Sequence, residues 1–368
     1  MPEQVLAAVK LDADAQMELR EFPMPEVQPD TALLKVQAAG MCGSYDGYKH
    51  RRYKGVVILG HENVGIIAKA GKVFQERHGV KEGDLVALEE YLPCYHCDWC
   101  RVGEYRLCWL SDRMQNPTGY HYGKTPIDKN PALWGGYSQY MYLAPNSVLH
   151  LLPSTTSPDA AALALPLGNG VQWAVVEAGA RPGRTILIQG PGPKGLGCTL
   201  ASKNFGADCV IVTGLTKDVA RLAAAHKLGA DFTVDVEKED FTTRIMEITG
   251  GRGVDAVVDC TPATNSKVFL QSFDVLKRTG GTVATQAYEV SDFSFRKLAN
   301  KYVTVKMCRG HSHASVHQAV EWIISGKYAL DQLMTHHYGI NDVARACLAS
   351  GGEGVGEDAI GVVVNPWL

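Results

Sequence analysis

A chain of 368 residues, 46% hydrophobic and 20% charged, carries enough apolar material for two ordinary cores, so a two-domain globular protein is expected. The net charge of −3, the pI near 6.5 and the lack of any Lys/Arg run beyond residues 51–52 exclude the electrostatic footprint of a nucleic-acid binder. No apolar run reaches the ~18 residues of a membrane span, and the N-terminal residues lack a secretion-signal pattern, so a cytoplasmic protein whose ten cysteines are thiols is expected.

The first half reads as β. TALLKVQAAG (31–40), VVILGHENVGIIAKAG (56–71) and DLVALEEYL (84–92) are β-branched or aliphatic runs punctuated by glycine, which predicts an antiparallel barrel-like domain. Next comes CYHCDWCRVGEYRLC, in which Cys94, Cys97, Cys100 and Cys108 have the spacing C-x2-C-x2-C-x7-C. Four thiolates on one short loop close a tetrahedral shell around zinc with no open position, a structural site, although thiolate spacing alone also admits an iron–sulfur cluster. His96 and Trp99, between these cysteines, read as loop packing rather than as a fifth ligand.

PSTTSPD (153–159) is the best candidate boundary, because from about residue 183 the pattern turns to short Ile/Val strands alternating with helices. Such βαβ units predict a doubly wound parallel sheet. The strand RTILIQ leads into GPGPKG (190–195), which fits G-x-G-x-x-G. Gly190 permits the tight turn, Gly192 the approach of a pyrophosphate, and Gly195 close helix-to-strand contact. Pro193 and Lys194 complete the loop, and the helix start offers amide donors. A dinucleotide site is therefore expected.

An NAD site usually places an acidic residue at the end of the second strand, some 20 residues on. Here that strand ends at Gly214, with Thr216 and Lys217 close behind, a combination that predicts NADP over NAD by removing a repelling charge.

With these motifs in order (MCGS at 41–44, GHENVG at 60–65, the four-cysteine lobe, GPGPKGLG at 190–197 and LAAAHKLGAD at 222–231), the chain resembles, over essentially its whole length, the zinc-dependent alcohol dehydrogenases of the medium-chain dehydrogenase/reductase superfamily. The resemblance implies an α/β protein. A GroES-like β-rich catalytic domain (1–155 and 302–368, with the zinc lobe at about 93–110) would be split around a Rossmann domain (156–301), with the active site between them. It implies a homodimer or homotetramer that transfers hydride between a small-molecule alcohol or carbonyl and NAD(P).

In such enzymes three protein ligands hold a catalytic zinc that lowers the pKa of the bound alcohol. By the resemblance Cys42 is the first ligand and His61 the second. Counting back 25 residues from Gly190 to the usual third position lands on Leu165, which cannot bind zinc. Glu62, directly after the histidine, is the expected substitute, with Asp46 as a lesser one; otherwise Glu62 orients the site or the catalytic zinc is lost. Ser44 matches the hydroxyl that takes the alcohol proton. Gly47 stands where a relay histidine is usual, five residues after Cys42, so a water exit is expected in preference to His50.

The rival expectations are a zinc-free reductase of a polarised C=C or iminium and a non-enzymatic nucleotide-binding protein. Leu165 favours a medium-sized aliphatic or aromatic alcohol over a sugar polyol.

Overall fold

The computed structural model describes residues 2–42, 48–50, 55–262, 266–287, 290, 293–353 and 358–368. In chain order its strands are β1 (Gln4–Lys10), β2 (Met17–Pro23), β3 (Ala32–Gly40), β4 (Val57–Ile58), β5 (Glu62–Ala70), β6 (Leu85–Leu88), β7 (Tyr140–Leu143), β8 (Leu149–Leu152), β9 (Thr185–Gln189), β10 (Cys209–Gly214), β11 (Phe232–Asp235), β12 (Ala256–Asp259), β13 (Gly281–Thr285), β14 (Val303–Met307), β15 (Met334–Tyr338) and β16 (Gly361–Val364). The chain divides into two compact units, Met1–Leu165 with Ser312–Leu368, and Pro166–His311.

The first unit is built on a sheet ordered β15-β16-β3-β5-β6-β8, with β7 also paired to β3, and a smaller sheet ordered β2-β1-β4. β3 and β5 run antiparallel at its centre, and both are buried along most of their length, which is why the sequence shows near-continuous aliphatic runs rather than strict alternation. Gly65 lets the two strands close up, since a Cβ there would lie 2.4 Å from the Lys35 carbonyl oxygen.

The second unit holds six parallel strands in the order β11-β10-β9-β12-β13-β14. Counted from β9 this is 3-2-1-4-5-6, the Rossmann order, so the expected doubly wound sheet is present.

The junctions fall at 165/166 and 311/312, about ten residues later than the expected 155/156 and 301/302. β14 pairs with β13 and so belongs to the parallel sheet. At the other junction, the short helix Pro158–Ala161 is tied to the first unit by a hydrogen bond between His337 Nε2 on β15 and Asp159, at 2.7 Å.

The long loop before β7 is anchored on Tyr122, which is fully buried. Its hydroxyl accepts from the Ala144 amide (2.9 Å) and lies 2.7 Å from Ser147 Oγ. Ser147 Oγ donates its own proton to the Ala144 carbonyl, so the tyrosine donates to Ser147. Tyr122→Phe removes a donor and an acceptor without changing the ring, and should cost about 1–3 kcal/mol. The expected readout is a lower chemical-denaturation midpoint with an unchanged slope; an unchanged midpoint would contradict this account of the loop.

Candidate functional site

The metal-type donors of the first unit are assembled by the β3/β5 pairing. Gly40, the last residue of β3, lies opposite Glu62, the first of β5, so the exit of one strand passes the entry of the other. Cys42 follows on one side and His61 precedes on the other. Gly60 takes a left-handed conformation (φ 94°), and its carbonyl accepts from the Gly136 amide (3.0 Å) and from Asn63 Nδ2 (3.1 Å), which fixes the backbone that carries the GHE motif. One thiol, one imidazole nitrogen and one carboxylate oxygen, from Cys42, His61 and Glu62, thereby lie within 4.8 Å of one another. Glu62 is buried, His61 half-buried and Cys42 exposed, so the cluster has a solvent-facing side.

Gly40 has a further use. A Cβ at that position would stand 2.7 Å from Glu62 Oε2 and 3.3 Å from the Ala162 carbonyl oxygen, so the absent side chain is the space that the Glu62 carboxylate occupies. Leu165, three residues beyond Ala162, is buried and offers no donor atom. Ser44, Asp46 and Gly47 lie outside the described residues, and His50 is exposed.

The four lobe cysteines converge as their spacing predicts, with all four sulfurs within 4.8 Å of one another. Cys94 Sγ and Cys100 Sγ are 3.9 Å apart; a tetrahedron of sulfurs about 2.3 Å from zinc has edges of about 3.8 Å. Backbone amides point at the sulfurs: Cys94 N–H (3.2 Å) and Leu110 N–H (3.4 Å) at Cys108, and Cys97 N–H (3.4 Å) at Cys94. At Cys108 desolvation is the largest single effect, but it is outweighed by the amides of Cys94, Leu110 and Ser111, which bring the thiol down to about 7. Burial pushes the Cys100 thiol up. At Cys108 the backbone thus favours thiolate before any ion arrives. His96 is exposed, with Nδ1 2.7 Å from the Cys94 carbonyl oxygen, and Trp99 is exposed as well, so neither is buried packing.

In the second unit the fingerprint loop joins β9 to the helix Pro193–Asn204, with Gly192 at the N-cap and Pro193 in the first turn. Gly190 is left-handed (φ 91°), as the tight turn requires. A Cβ on Gly195 would lie 1.9 Å from the Gly190 carbonyl oxygen, whereas one on Gly192 would meet nothing within 4 Å. The two glycines therefore serve different ends, one packing and one open approach to the helix start. Lys194 is engaged within its own unit: its Nζ donates to Gln286 Oε1 (2.9 Å) and lies 3.8 Å from the Trp173 ring centroid.

The end of β10 carries two features that the sequence did not reveal. A side chain on Gly214 would collide with Pro191 Cγ at 2.9 Å, so the glycine has a packing cause that is independent of cofactor charge. Thr216 faces two carboxylates from beyond β10: its hydroxyl donates to Asp235 (2.8 Å) and its amide to Glu237 (2.8 Å). Desolvation of Asp235 is outweighed by hydrogen bonds from Lys238, Thr216 and the Glu237 amide, which hold its carboxyl below the usual range and keep it ionised. Lys217 is exposed.

Comparison with known proteins identifies the family of both units. Residues 28–154 match the family model of the alcohol dehydrogenase GroES-like domain, and residues 193–325 that of the zinc-binding dehydrogenases. A Mycobacterium tuberculosis protein named "probable alcohol dehydrogenase" is 36% identical over 340 residues, covering 89% of this chain and 90% of its own. The sorbitol dehydrogenase of Bacillus subtilis is 33% identical over 290 residues, covering 77% and 75%. The crystal structure of an alcohol dehydrogenase from Thermotoga maritima superposes with a TM-score of 0.81 at 26% identity, covering 98% of this chain and 99% of its own. No helix among the described residues is long and apolar enough to cross a membrane. The chain belongs to the zinc-dependent alcohol dehydrogenases of the medium-chain dehydrogenase/reductase superfamily, oxidoreductases that act on CH–OH donors.

Proposed function

We propose that this dehydrogenase works with a catalytic zinc held by Cys42, His61 and Glu62 and a structural zinc held by Cys94, Cys97, Cys100 and Cys108. The observation that carries the reading is the convergence of sulfur, nitrogen and oxygen donors within 4.8 Å at the β3/β5 crossing, with Glu62 occupying the room left by Gly40. When bound, zinc supplies a Lewis acid for the substrate oxygen and nicotinamide supplies the hydride acceptor. A Cys42 thiolate and a Glu62 carboxylate together offset the charge of a dication, and neutral His61 completes three protein ligands with one position left open. Ser44 is the proposed proton acceptor, two residues along the chain from Cys42. The same convergence weighs against the zinc-free reductase, which has no use for three such donors in one place.

The remaining parts of the reading are a small-molecule alcohol as substrate, aliphatic or aromatic in preference to a sugar because Leu165 is apolar, and a cytoplasmic homo-oligomer. For the cofactor, the expectation of NADP rested on Gly214, Thr216 and Lys217. The Pro191 contact explains the glycine, and Asp235 and Glu237 beside Thr216 oppose a 2′-phosphate, so the geometry favours NAD.

Three measurements test this. Cys42→Ser should lower zinc content by about one ion per chain and reduce kcat roughly a hundredfold or more, with Glu62→Gln weakening zinc retention in the same direction; unchanged metal and unchanged turnover would refute the ligand set. The ratio of kcat/KM for NAD to that for NADP should exceed about ten, and a preference for NADP would show that the two carboxylates do not govern the choice. Gly192→Ala should leave the melting temperature unchanged while raising the cofactor Kd about tenfold or more, whereas Gly195→Ala should destabilise the fold by about 1–3 kcal/mol; the reverse pattern would contradict the roles given to these glycines.

A further inference from the structure

A third group of metal-type side chains lies in the first unit, apart from both zinc clusters: Glu89, His150 and His313. Three separate elements deliver them. Glu89 directly follows β6, His150 sits on β8, and His313 opens the helix His313–Ser325. The β6/β8 register sets Ala87 opposite His150, and the Glu89 amide donates to the Val148 carbonyl (3.0 Å), so the carboxylate and the first imidazole are brought together by sheet pairing. His313 is positioned by its own amide, which donates to the Gly103 carbonyl of the lobe (2.9 Å).

Glu89 is fully buried, His150 nearly so, and the His313 side chain is 38% exposed. His150 Nε2 and His313 Nδ1 each lie 2.8 Å from the same oxygen, Glu89 Oε1, and the two rings stack with centroids 4.9 Å apart and planes 22° from parallel. A carboxylate taken wholly out of water needs compensation, by charged or hydrogen-bonding partners or by a cation. Here two imidazoles converge on it from one side, and the half-exposed ring opens that side to solvent.

We propose that Glu89, His150 and His313 form a further, sulfur-free metal site that takes a divalent first-row ion, zinc first among them, with water completing the shell. Two histidines and one carboxylate with an open fourth position are a donor set suited to such an ion. Donors about 2.0–2.1 Å from a tetrahedral zinc stand about 3.3 Å apart, so each ring has to withdraw by about half an ångström from its 2.8 Å contact. His313, at a helix start and partly in solvent, has room to do so.

The exchange balances simply. The two N–H···O hydrogen bonds give way to two N–metal bonds, and each neutral imidazole passes its single proton, by exchange with solvent, from the ligating nitrogen to the other ring nitrogen. A His313 that carries both protons releases one to solvent. The bound ion would tie β6, β8 and the helix His313–Ser325 together beside the lobe. The site stands on its own geometry and does not depend on the catalytic zinc.

The test uses the full chain, stripped with chelator, saturated with Zn²⁺ and desalted. Wild type should retain about one zinc per chain more than either His313→Gln or His150→Asn, and that difference should persist in a Cys42→Ser background, where the catalytic equivalent is already missing. A second measurement needs no substitution: diethyl pyrocarbonate should modify His313, followed by peptide mass spectrometry, several-fold more slowly with zinc than without. Equal zinc in wild type and both variants, or one rate of His313 modification with and without zinc, overturns the site and leaves a hydrogen-bonded triad alone.

Discussion

The antiparallel pairing of β3 with β5 is the constraint on which the reactive part of the first unit depends. Once Gly40 is set opposite Glu62, the residues just beyond the two strand ends have little choice about their neighbours, and Cys42 and His61 meet beside the Glu62 carboxylate. A slip of one residue would carry Glu62 to the other face of the sheet. The register is therefore held from several sides. β7 and β16 pair along different parts of β3, β6 pairs with β5, and the left-handed Gly60 is clamped by Gly136 and Asn63. Burial of both strands supplies the energy, and two glycines supply the clearance, Gly65 for the backbones and Gly40 for the carboxylate.

The lobe solves a different problem with local means. Its four sulfurs come from one short segment, and the backbone amides aimed at Cys108 favour thiolate there, where desolvation alone would resist it. Such a shell is closed and chemically quiet, whereas Cys42, His61 and Glu62 leave a solvent-facing position. On the proposed reading these two clusters are divided between holding structure and offering a reactive position, and the number of protein donors in each is what divides them.

Features confined to a few consecutive residues were legible in the sequence. The fingerprint loop, the lobe spacing and the alternation of strands and helices each carry their physics locally, and the structure reproduces them. The GHE histidine and its glutamate came through resemblance, and their meeting with Cys42 required the fold. What stayed hidden was long-range. Glu89 finds His150 and His313 across 61 and 224 residues. Asp235 reaches Thr216 from the next strand of the sheet, and Pro191 explains a glycine 23 positions later in a way that no count along the chain discloses. The second junction was misplaced because β14 is an edge strand whose residues are mostly exposed, so its composition does not announce that it belongs to the buried parallel sheet.

On the proposed reading Glu62, rather than a residue at position 165, completes the catalytic shell. Anomalous diffraction from crystals of the zinc-loaded enzyme, recorded on both sides of the zinc edge, addresses it directly. A zinc peak is expected about 2.0–2.3 Å from Cys42 Sγ, a His61 ring nitrogen and a Glu62 carboxylate oxygen. Anomalous density confined to the four-cysteine lobe, or a peak at Cys42 and His61 with Glu62 turned away from it, would contradict it.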